Sequence, residues 1–565
     1  MKHSSIFLVF FSLTFICLFS ADYAYTQIEN VPLTNPVYDY LKEMRVKRII
    51  NSFNDDDPNL SRYQVSDYLN EISLKNNELS AVEKKLLNRF LVEFNPDYIS
   101  KKTTMSLIKS NMNVSNGFRD FFSDKQKYLF AYEKNNNNIF IDGVGHIYYS
   151  NGINPDSRSN AKIIDGGFRI RGSLFDHLGY NFAVIKGAAS GDSVLIEKTF
   201  PPIKSTFKYQ ENIENVVNYD FSEGYLKYAL SPSEGMNISA QIGREKLKYG
   251  VAYSSRLALS GNAPDMDFLK FNFNYGIINY SSIFASTVGE YSPRREERYT
   301  KYFTANRLKL SFDDLFDVGI GETVISSRGI ELGYLNPFIF YKFVEMSLQD
   351  RDNGTIFTDI QTHFLKDFEL QGTFFLDENI LSNLSDLNKA TNKTAYQLGF
   401  FWYEPAGIKN LALIFEYTKI RPYVYSHFDF KNTYTAFGAN IGHPIGPNAD
   451  QIFTKITYNL NERIKLRLEY QKIRKGLNIT DAAGNLIRNV GGDVYQAFRV
   501  GTDSDEAYFL DGIRVNTNNI VFNITYEPVR NYVFDLNYTY NTDKNLSSGI
   551  KNDYSFAYIR FGLNY

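Results

Sequence analysis

Cysteine and tryptophan are almost absent from this chain: its 565 residues hold one of each, Cys17 and Trp402. A single thiol permits no internal disulfide, which excludes a small secreted fold held by disulfide staples. Neither sign of charge is in excess, with 61 Lys+Arg against 63 Asp+Glu. Nucleic-acid binding calls for a basic surplus, so no nucleic-acid partner is expected. Long apolar runs are missing as well, apart from Ile6 to Phe19 behind Lys2. At about 14 residues that run is too short to cross a bilayer and has the make-up of a secretory signal peptide. Cleavage falls after Ser20 or Thr26, and residues 1–26 are taken as the leader. Cys17 lies inside it, and Ile16 before it lacks the small side chain of a lipoprotein processing site, so no lipid anchor is assigned. The six histidines have no paired zinc-ligand spacing, and neither a Gly-rich phosphate loop nor a nucleophile elbow is present. No metal, cofactor or catalytic set is assigned, and an enzyme is not expected.

Aromatic residues, in contrast, are plentiful: 42 Tyr and 47 Phe help bring their share to 16%, beside 22% charged residues. That mixture suits a transmembrane β-barrel with a wet interior better than a bundle of membrane helices. The last eleven residues show the pattern. Tyr565, Leu563, Phe561, Ile559 and Ala557 share one face, with Asn564, Gly562, Arg560 and Tyr558 on the other, because strand side chains alternate. Such a strand can close a barrel, and Tyr565 is read as its insertion and closure end, with no binding role. In the hairpin from Ile452 to Tyr470, Ile456, Tyr458, Leu466 and Leu468 lie on one face while Lys465, Arg467 and Glu469 point the other way. Three unpartnered charges would not enter a dry core, whereas a hydrated lumen accepts them.

Alternation carried back from Tyr565 predicts strands at 554–565, 532–540, 519–527, 463–474, 450–458, 410–420, 396–403, 367–376 and 355–364. It continues with 317–327, 302–311, 278–286, 268–275, 236–246, 221–230, 178–187, 164–174 and 138–149. The expected fold is therefore an all-β transmembrane antiparallel β-barrel of about 18 strands. Tight links such as Asn459 to Glu462 alternate with long polar loops near 188–220, 247–267, 328–354, 427–449 and 475–518. Short periplasmic turns and long external loops are the outer-membrane arrangement, which places all the long loops outside. Trp402 and Tyr403, before a short turn, are read as part of the periplasmic aromatic girdle.

The N-terminal part has a helical period instead. Val37, Tyr40, Leu41 and Met44 form one stripe, and capping boxes at Ser61/Gln64 and Ser80/Glu83 open two more helices. Residues 27–115 are thus a small helical periplasmic segment, and 116–565 the barrel. The run Val37 to Ile50 followed by Asn59 to Val65 resembles one S-layer-homology module, which leaves a peptidoglycan-binding role beside that of a plain cap or plug. Asp55, Asp56 and Asp57 lack EF-hand spacing and are read as a solvated turn.

Three stretches carry a resemblance: Ile242 to Gly250 with Leu259 to Phe268, Arg328 to Tyr341 with Gln349 to Asn353, and Gly442-His-Pro-Ile-Gly-Pro-Asn-Ala-Asp450. Over about residues 30–565 the chain resembles the capsule-assembly Wzi-like family of outer-membrane proteins. That resemblance implies an 18-stranded barrel with a periplasmic helical portion, acting as a surface lectin that holds exported capsular or extracellular polysaccharide. The implied setting is the outer membrane of a Gram-negative-type bacterium, with its lipids and the barrel-assembly machinery as further partners. Polar and aromatic groups in the second and third stretches are the polysaccharide-binding candidates: Arg328, Glu331, Tyr334, Asn336, Arg351, Asp352, His443, Asn448 and Asp450, with structural loop contacts as the competing role. Arg294, Arg295 and Arg298 form a further basic knot beside Glu296 and Glu297. A porin or specific solute channel is the rival function.

Overall fold

The computed structural model describes residues 27–153, 159–205, 216–377 and 386–564; the expected leader, with Cys17, and Tyr565 lie outside them. Alternating sequence becomes a closed antiparallel barrel of eighteen strands. They are β1 (Asn137–Ile153), β2 (Asn160–Leu174), β3 (Leu178–Gly191), β4 (Val216–Leu230), β5 (Met236–Glu245), β6 (Met266–Tyr275), β7 (Ile278–Val288), β8 (Thr300–Ser311) and β9 (Phe316–Ser326). The circuit continues through β10 (Asn353–Thr362), β11 (Phe368–Asp377), β12 (Thr394–Tyr403), β13 (Leu411–Ile420), β14 (Ala449–Asn459), β15 (Ile464–Leu477), β16 (Ile513–Val529), β17 (Tyr532–Asn545) and β18 (Lys551–Asn564). Each strand expected from alternation has its counterpart here, in order. Closure runs from Ser555↔Ile153 to Asn564↔Val144. A short strand, Phe130–Lys134, pairs with the start of β1 and prolongs the lane that β18 leaves. Outward residues such as Ile147, Ile164, Leu226, Ile242, Ile320, Leu398 and Ile559 are exposed, as a lipid-facing wall requires.

Three helices, α1 (Val37–Val46), α2 (Arg62–Leu74) and α3 (Ala81–Phe94), share a core that includes Val37, Leu41, Met44, Leu69, Phe90 and Leu91. Their starts are fixed as capping boxes fix them: Gln64 Oε1 accepts from the Ser61 amide at 2.8 Å, and Ser80 Oγ from the Glu83 amide at 3.1 Å. The bundle sits in the short-turn end of the barrel and is tied to it around the circumference. Glu29 meets Arg171 of β2 at 3.1 Å, and the Asn30 amide donates to Tyr225 of β4 at 2.6 Å. Lys42 meets Glu369 of β11 at 2.6 Å, Tyr403 of β12 donates to Glu83 at 2.9 Å, and Lys465 of β15 meets Asp39 at 2.5 Å. Tyr403 thus points inward onto the bundle and leaves the girdle to Trp402, which is exposed on the outer wall.

The acidic turn before α2 is not solvated. Asp55 pairs with Lys42 at 2.6 Å, Asp56 with Arg307 and with Lys309 at 2.9 Å, and Asp57 with Lys270. Lys270, Arg307 and Lys309 all face the lumen, Arg307 is also held by Asp359 at 2.6 Å, and the side chain of Asp56 is 4% exposed. Buried charge demands a partner, and the turn supplies carboxylates to three inward cations. Burial works against the ionised Asp56 carboxyl, but Arg307 and Lys309 outweigh it and hold it well below the usual carboxylate range.

Two long loops also turn inward. Leu247, Tyr249, Leu257 and Leu259 of the β5–β6 loop and Tyr425, Tyr434, Ala436 and Ile441 of the β13–β14 loop pack with inward Phe268, Phe303, Phe357 and Phe375. This fills the β6–β14 side of the lumen with apolar side chains. Across from it a short helix, α4 (Ser193–Thr199), packs Leu195 and Ile196 against Tyr148, Ile163 and Tyr219. Inward Arg169 and Glu223 there are half-buried, and at the border between the two sides Lys455 of β14 is half-buried and the Arg467 side chain of β15 is 38% exposed.

Replacing Asp56 by Asn leaves Arg307 and Lys309 short of a buried counter-charge, with an expected cost of about 3–5 kcal/mol. The Asp56→Asn/Asp57→Asn protein should show faster amide exchange in α1 and α2 and larger single-channel currents in planar bilayers than the native protein. Equal exchange and equal currents would show that the turn does not hold the bundle.

Candidate functional site

The loop from β9 to β10 does not project from the long-loop end; it lies down the outer wall. Two short helices, α5 (Leu332–Leu335) and α6 (Tyr341–Ser347), pack Tyr334, Tyr341 and Val344 on outward Val324 and Phe284. The Phe338 ring reaches Phe271 at 5.5 Å, midway along β6, and Tyr280 at 6.3 Å, near the short-turn end of β7. Outward polar side chains on the wall meet the loop's backbone. Glu322 accepts from the Tyr341 and Lys342 amides at 2.6 and 3.0 Å, Asn306 donates to the Ile339 carbonyl at 3.0 Å, and Tyr280 donates to the Pro337 carbonyl. Irregular backbone survives at membrane depth only when its polar groups are satisfied this way. Leu332, Phe340, Phe343 and Met346 face away from the wall, and Phe338 keeps 76% exposure beside its wall contacts.

The candidates of the second stretch gather at the root of this flap. Arg328 grips Asp352 with Nη2 at 2.6 Å and Nε at 3.3 Å, and reaches Glu331 at 2.8 Å. The Tyr334 hydroxyl donates to the same Asp352 at 2.9 Å. Burial, then the Asp352 charge, drives the Tyr334 hydroxyl well above its ordinary range. Arg351 donates to the Leu348 carbonyl and is exposed; Asn336 accepts from the Phe338 amide at the tip. The structure therefore brings Arg328, Glu331, Tyr334 and Asp352 together and leaves Asn336 and Arg351 apart.

The third stretch serves the inward loops. His443 is fully buried, its amide donates to Tyr425 at 3.2 Å, and burial lowers its imidazole to about 3. Gly442 lies where a Cβ would meet Leu257 O and the Tyr425 ring, so no larger residue fits between the two loops. Asn448 has φ +52°, donates to the carbonyls of Gly476 and Asp511 at 3.0 and 3.1 Å, and accepts from the Leu510 amide at 2.7 Å. Asp450 is on the outer face of β14, where it pairs with Arg474 and accepts from Tyr417 at 3.1 Å. Arg294 pairs with Glu297 at 2.8 Å in an exposed loop.

The lumen holds a second set of groups that no motif indicated. Tyr558, Tyr148, Phe200 and Tyr219 form an aromatic ladder with ring centroids 6.1, 5.7 and 5.5 Å apart in succession. Near it His146 meets Asp165 at 2.8 Å, and Arg560 donates to Asp535 at 2.7 Å. A cavity of about 230 Å³ between α1 and the β5–β6 loop is lined by Asp39, Lys42, Glu43, Lys248, Arg256 and Lys455 among others. Among the described residues neither Lys248 nor Lys455 makes an ion pair. Charged groups of both signs beside ring faces can bind polyhydroxylated or acidic chains. Alternation alone marks all these residues as inward, and only the meeting of distant strands makes them neighbours.

The capsule assembly protein Wzi family model matches residues 201–505, more than half of the chain. No curated protein matches. Among solved structures, Wzi of Escherichia coli, described as an outer membrane protein involved in group 1 capsule assembly and a carbohydrate-binding β-barrel, superposes with a TM-score of 0.54. The match covers 94% of this chain and 99% of that one at 10% identity. OprD from Pseudomonas aeruginosa and OccAB2 from Acinetobacter baumannii match 76% of this chain and 93% and 98% of their own. Each is 9% identical, with TM-scores of 0.42 and 0.44. At 10% identity the likeness to the Escherichia coli protein is one of fold.

Depth of the flap is directly measurable, because the chain has one tryptophan. With Trp402→Phe and Phe338→Trp in lipid vesicles, emission should be blue-shifted and strongly quenched by lipids brominated in the acyl chain. Emission at the wavelength of water-exposed indole, unaffected by bromine, would place the flap outside the bilayer.

Proposed function

The chain belongs to the Wzi capsule assembly family and is an outer-membrane β-barrel, and from that premise we propose that it is a surface lectin retaining exported polysaccharide. The observation that carries this reading is the divided lumen. One side is packed with loop residues, while the other keeps hydrated charges beside the ladder of Tyr558, Tyr148, Phe200 and Tyr219. Of the ladder, the half-buried rings of Phe200 and Tyr558 are the ones open to stack on the apolar faces of sugars, with buried Tyr148 and Tyr219 holding them in place, and Arg169, Lys455 and Arg467 suit a polymer that carries carboxylates. Polymer enters from the long-loop end, since the helical bundle occupies the other.

Among the loop candidates, Arg328, Glu331 and Arg351 keep solvent-facing groups and are proposed as contacts at the rim. Tyr334, Asp352, His443 and Asn448 are buried and are proposed to position the loops. Asp450 serves Arg474. For the helices we propose the plug role over wall binding, because Asp39, Lys42, Glu83 and Arg89 are engaged with the barrel. Those same contacts weigh against a solute channel. The protein is read as a binding protein and not an enzyme.

Immobilised protein should retain the host's purified polysaccharide, and Lys455→Ala/Arg467→Ala should weaken retention at least tenfold at low salt while the barrel remains heat-modifiable on gels. Loss of the gene should release the polymer to the medium. Undiminished retention by the variant would remove the lumenal site, and wild-type surface polymer without the gene would remove the function.

A further inference from the structure

Strand register places outward residues of neighbouring strands in rows, and the rows differ in charge around the barrel. At the long-loop edge of β13–β18 one row reads Lys419, Asp450, Arg474, Asn516, Lys544 and Lys551. It has four cations and a single carboxylate. The row beneath it includes Lys472 and, three strands away, Asp553, which pairs with Lys551 at 2.6 Å. Deeper on the same wall lie Trp402, Leu413, Ile456, Leu468, Phe522 and Tyr538, an apolar row. The cations therefore stand where the hydrocarbon ends and the outer headgroups begin. The corresponding edge of β5–β9 runs Arg244, Asp267, Ser286, Tyr302 and Ser326, where Arg244 and Asp267 neutralise one another at 2.6 Å. Among the described residues the positive edge of β13–β18 thus has no counterpart on β5–β9.

Its cations are also poorly matched from within. Among the described residues Lys419, Lys472 and Lys544 make no ion pair. Lys419 Nζ instead lies 4.2 Å from the Phe509 ring centroid and 5.9 Å from that of Tyr396, which holds the ammonium without neutralising it. Next to it Arg421 is 5% exposed and donates Nε to the Asn392 carbonyl at 3.2 Å, while its Nη2 is buried without an acceptor. Asp450, the one carboxylate in the row, already accepts from Arg474 and Tyr417. A buried guanidinium nitrogen lacking an acceptor, beside an ammonium lacking an anion, calls for an anionic group with several oxygens.

We propose that the outer edge of β13–β15, with Lys419, Arg421, Lys472 and Arg474 as its cations, binds the phosphoryl group of an outer-leaflet lipid headgroup. A phosphate monoester offers enough oxygens to serve more than one of these cations, and the lipid's acyl chains lie along the apolar row beneath. This site faces away from the lumen and does not depend on the polysaccharide reading. It would fix the orientation of the barrel and ring it on one side with phosphorylated lipid.

The test uses the full chain in detergent, with diphosphoryl lipid A and its fully dephosphorylated form as probes, and reads bound lipid by native mass spectrometry. The native protein should retain the diphosphoryl form at least tenfold more strongly than the dephosphorylated one. Lys419→Gln/Lys472→Gln should lose most of that preference, since neither lysine holds the fold through an ion pair. Equal retention of both lipids by the native protein, or undiminished preference in the variant, overturns the proposal. Displacement of lipid by millimolar inorganic phosphate would assign the edge to free phosphate and overturn the lipid source. Should the double variant fail to assemble, the exposed Lys544→Gln is expected to lower retention about twofold, and no change there counts against the proposal.

Discussion

Pairing of Asp55, Asp56 and Asp57 with Lys42, Lys270, Arg307 and Lys309 is the interaction on which the rest of the molecule depends. The strand period sends Lys270, Arg307 and Lys309 inward, and an apolar lumen cannot hold them without counter-charge. The acidic turn brings that charge on a separate helical unit, so the wall and the bundle each complete the other. The same turn contacts the β5–β6 loop, whose Gly250 amide donates to the Asp56 carbonyl at 3.0 Å and whose Arg256 donates to the Asp55 carbonyl at 2.7 Å. Plug and inward loop thus meet inside the barrel, and the water that remains is pushed to the β14–β18 and β1–β5 side.

A second constraint shapes the outside. Ser282, Asn306 and Glu322 put polar groups on a wall that elsewhere shows aliphatic and aromatic side chains to lipid. Uncovered, they would be costly; covered by α5 and α6, they become the partners of a backbone that could not otherwise lie at that depth. The three stretches that carry the family resemblance thus encode packing. The first and third build the inward loops, and the second builds the flap, with the Arg328–Asp352–Tyr334 cluster as its hinge to the strand ends.

The barrel was legible because its signal is local. A period of two repeated eighteen times, with short and long connections in turn, survives in sequence whatever the loops do. The capping boxes at Ser61 and Ser80 were legible for the same reason. Destinations of loops were not, because they depend on partners far away in sequence: Asp56 and Arg307, or Glu322 and Tyr341 seen across a wall. Asp55 to Asp57 look like a wet turn until the inward parity of Lys270, Arg307 and Lys309 is set beside them; that surplus of inward cations was the available clue. Likewise Trp402 and Tyr403 are one residue apart and belong to opposite faces, which alternation itself required. The binding candidates came from loop wording, and four of them, Tyr334, Asp352, His443 and Asn448, sit buried because those words describe how loops are fastened.

The central claim is a lumen shut at the bundle end and wet toward the long loops, and the accessibility of Arg467 tests it most directly. The chain's one cysteine, Cys17, lies in the expected leader, so Arg467→Cys introduces a single reporter thiol into the mature protein. A small membrane-impermeant maleimide added to intact cells should modify it readily, and opening the periplasm should not hasten the reaction. Modification that occurs only after the periplasm is opened would contradict the account.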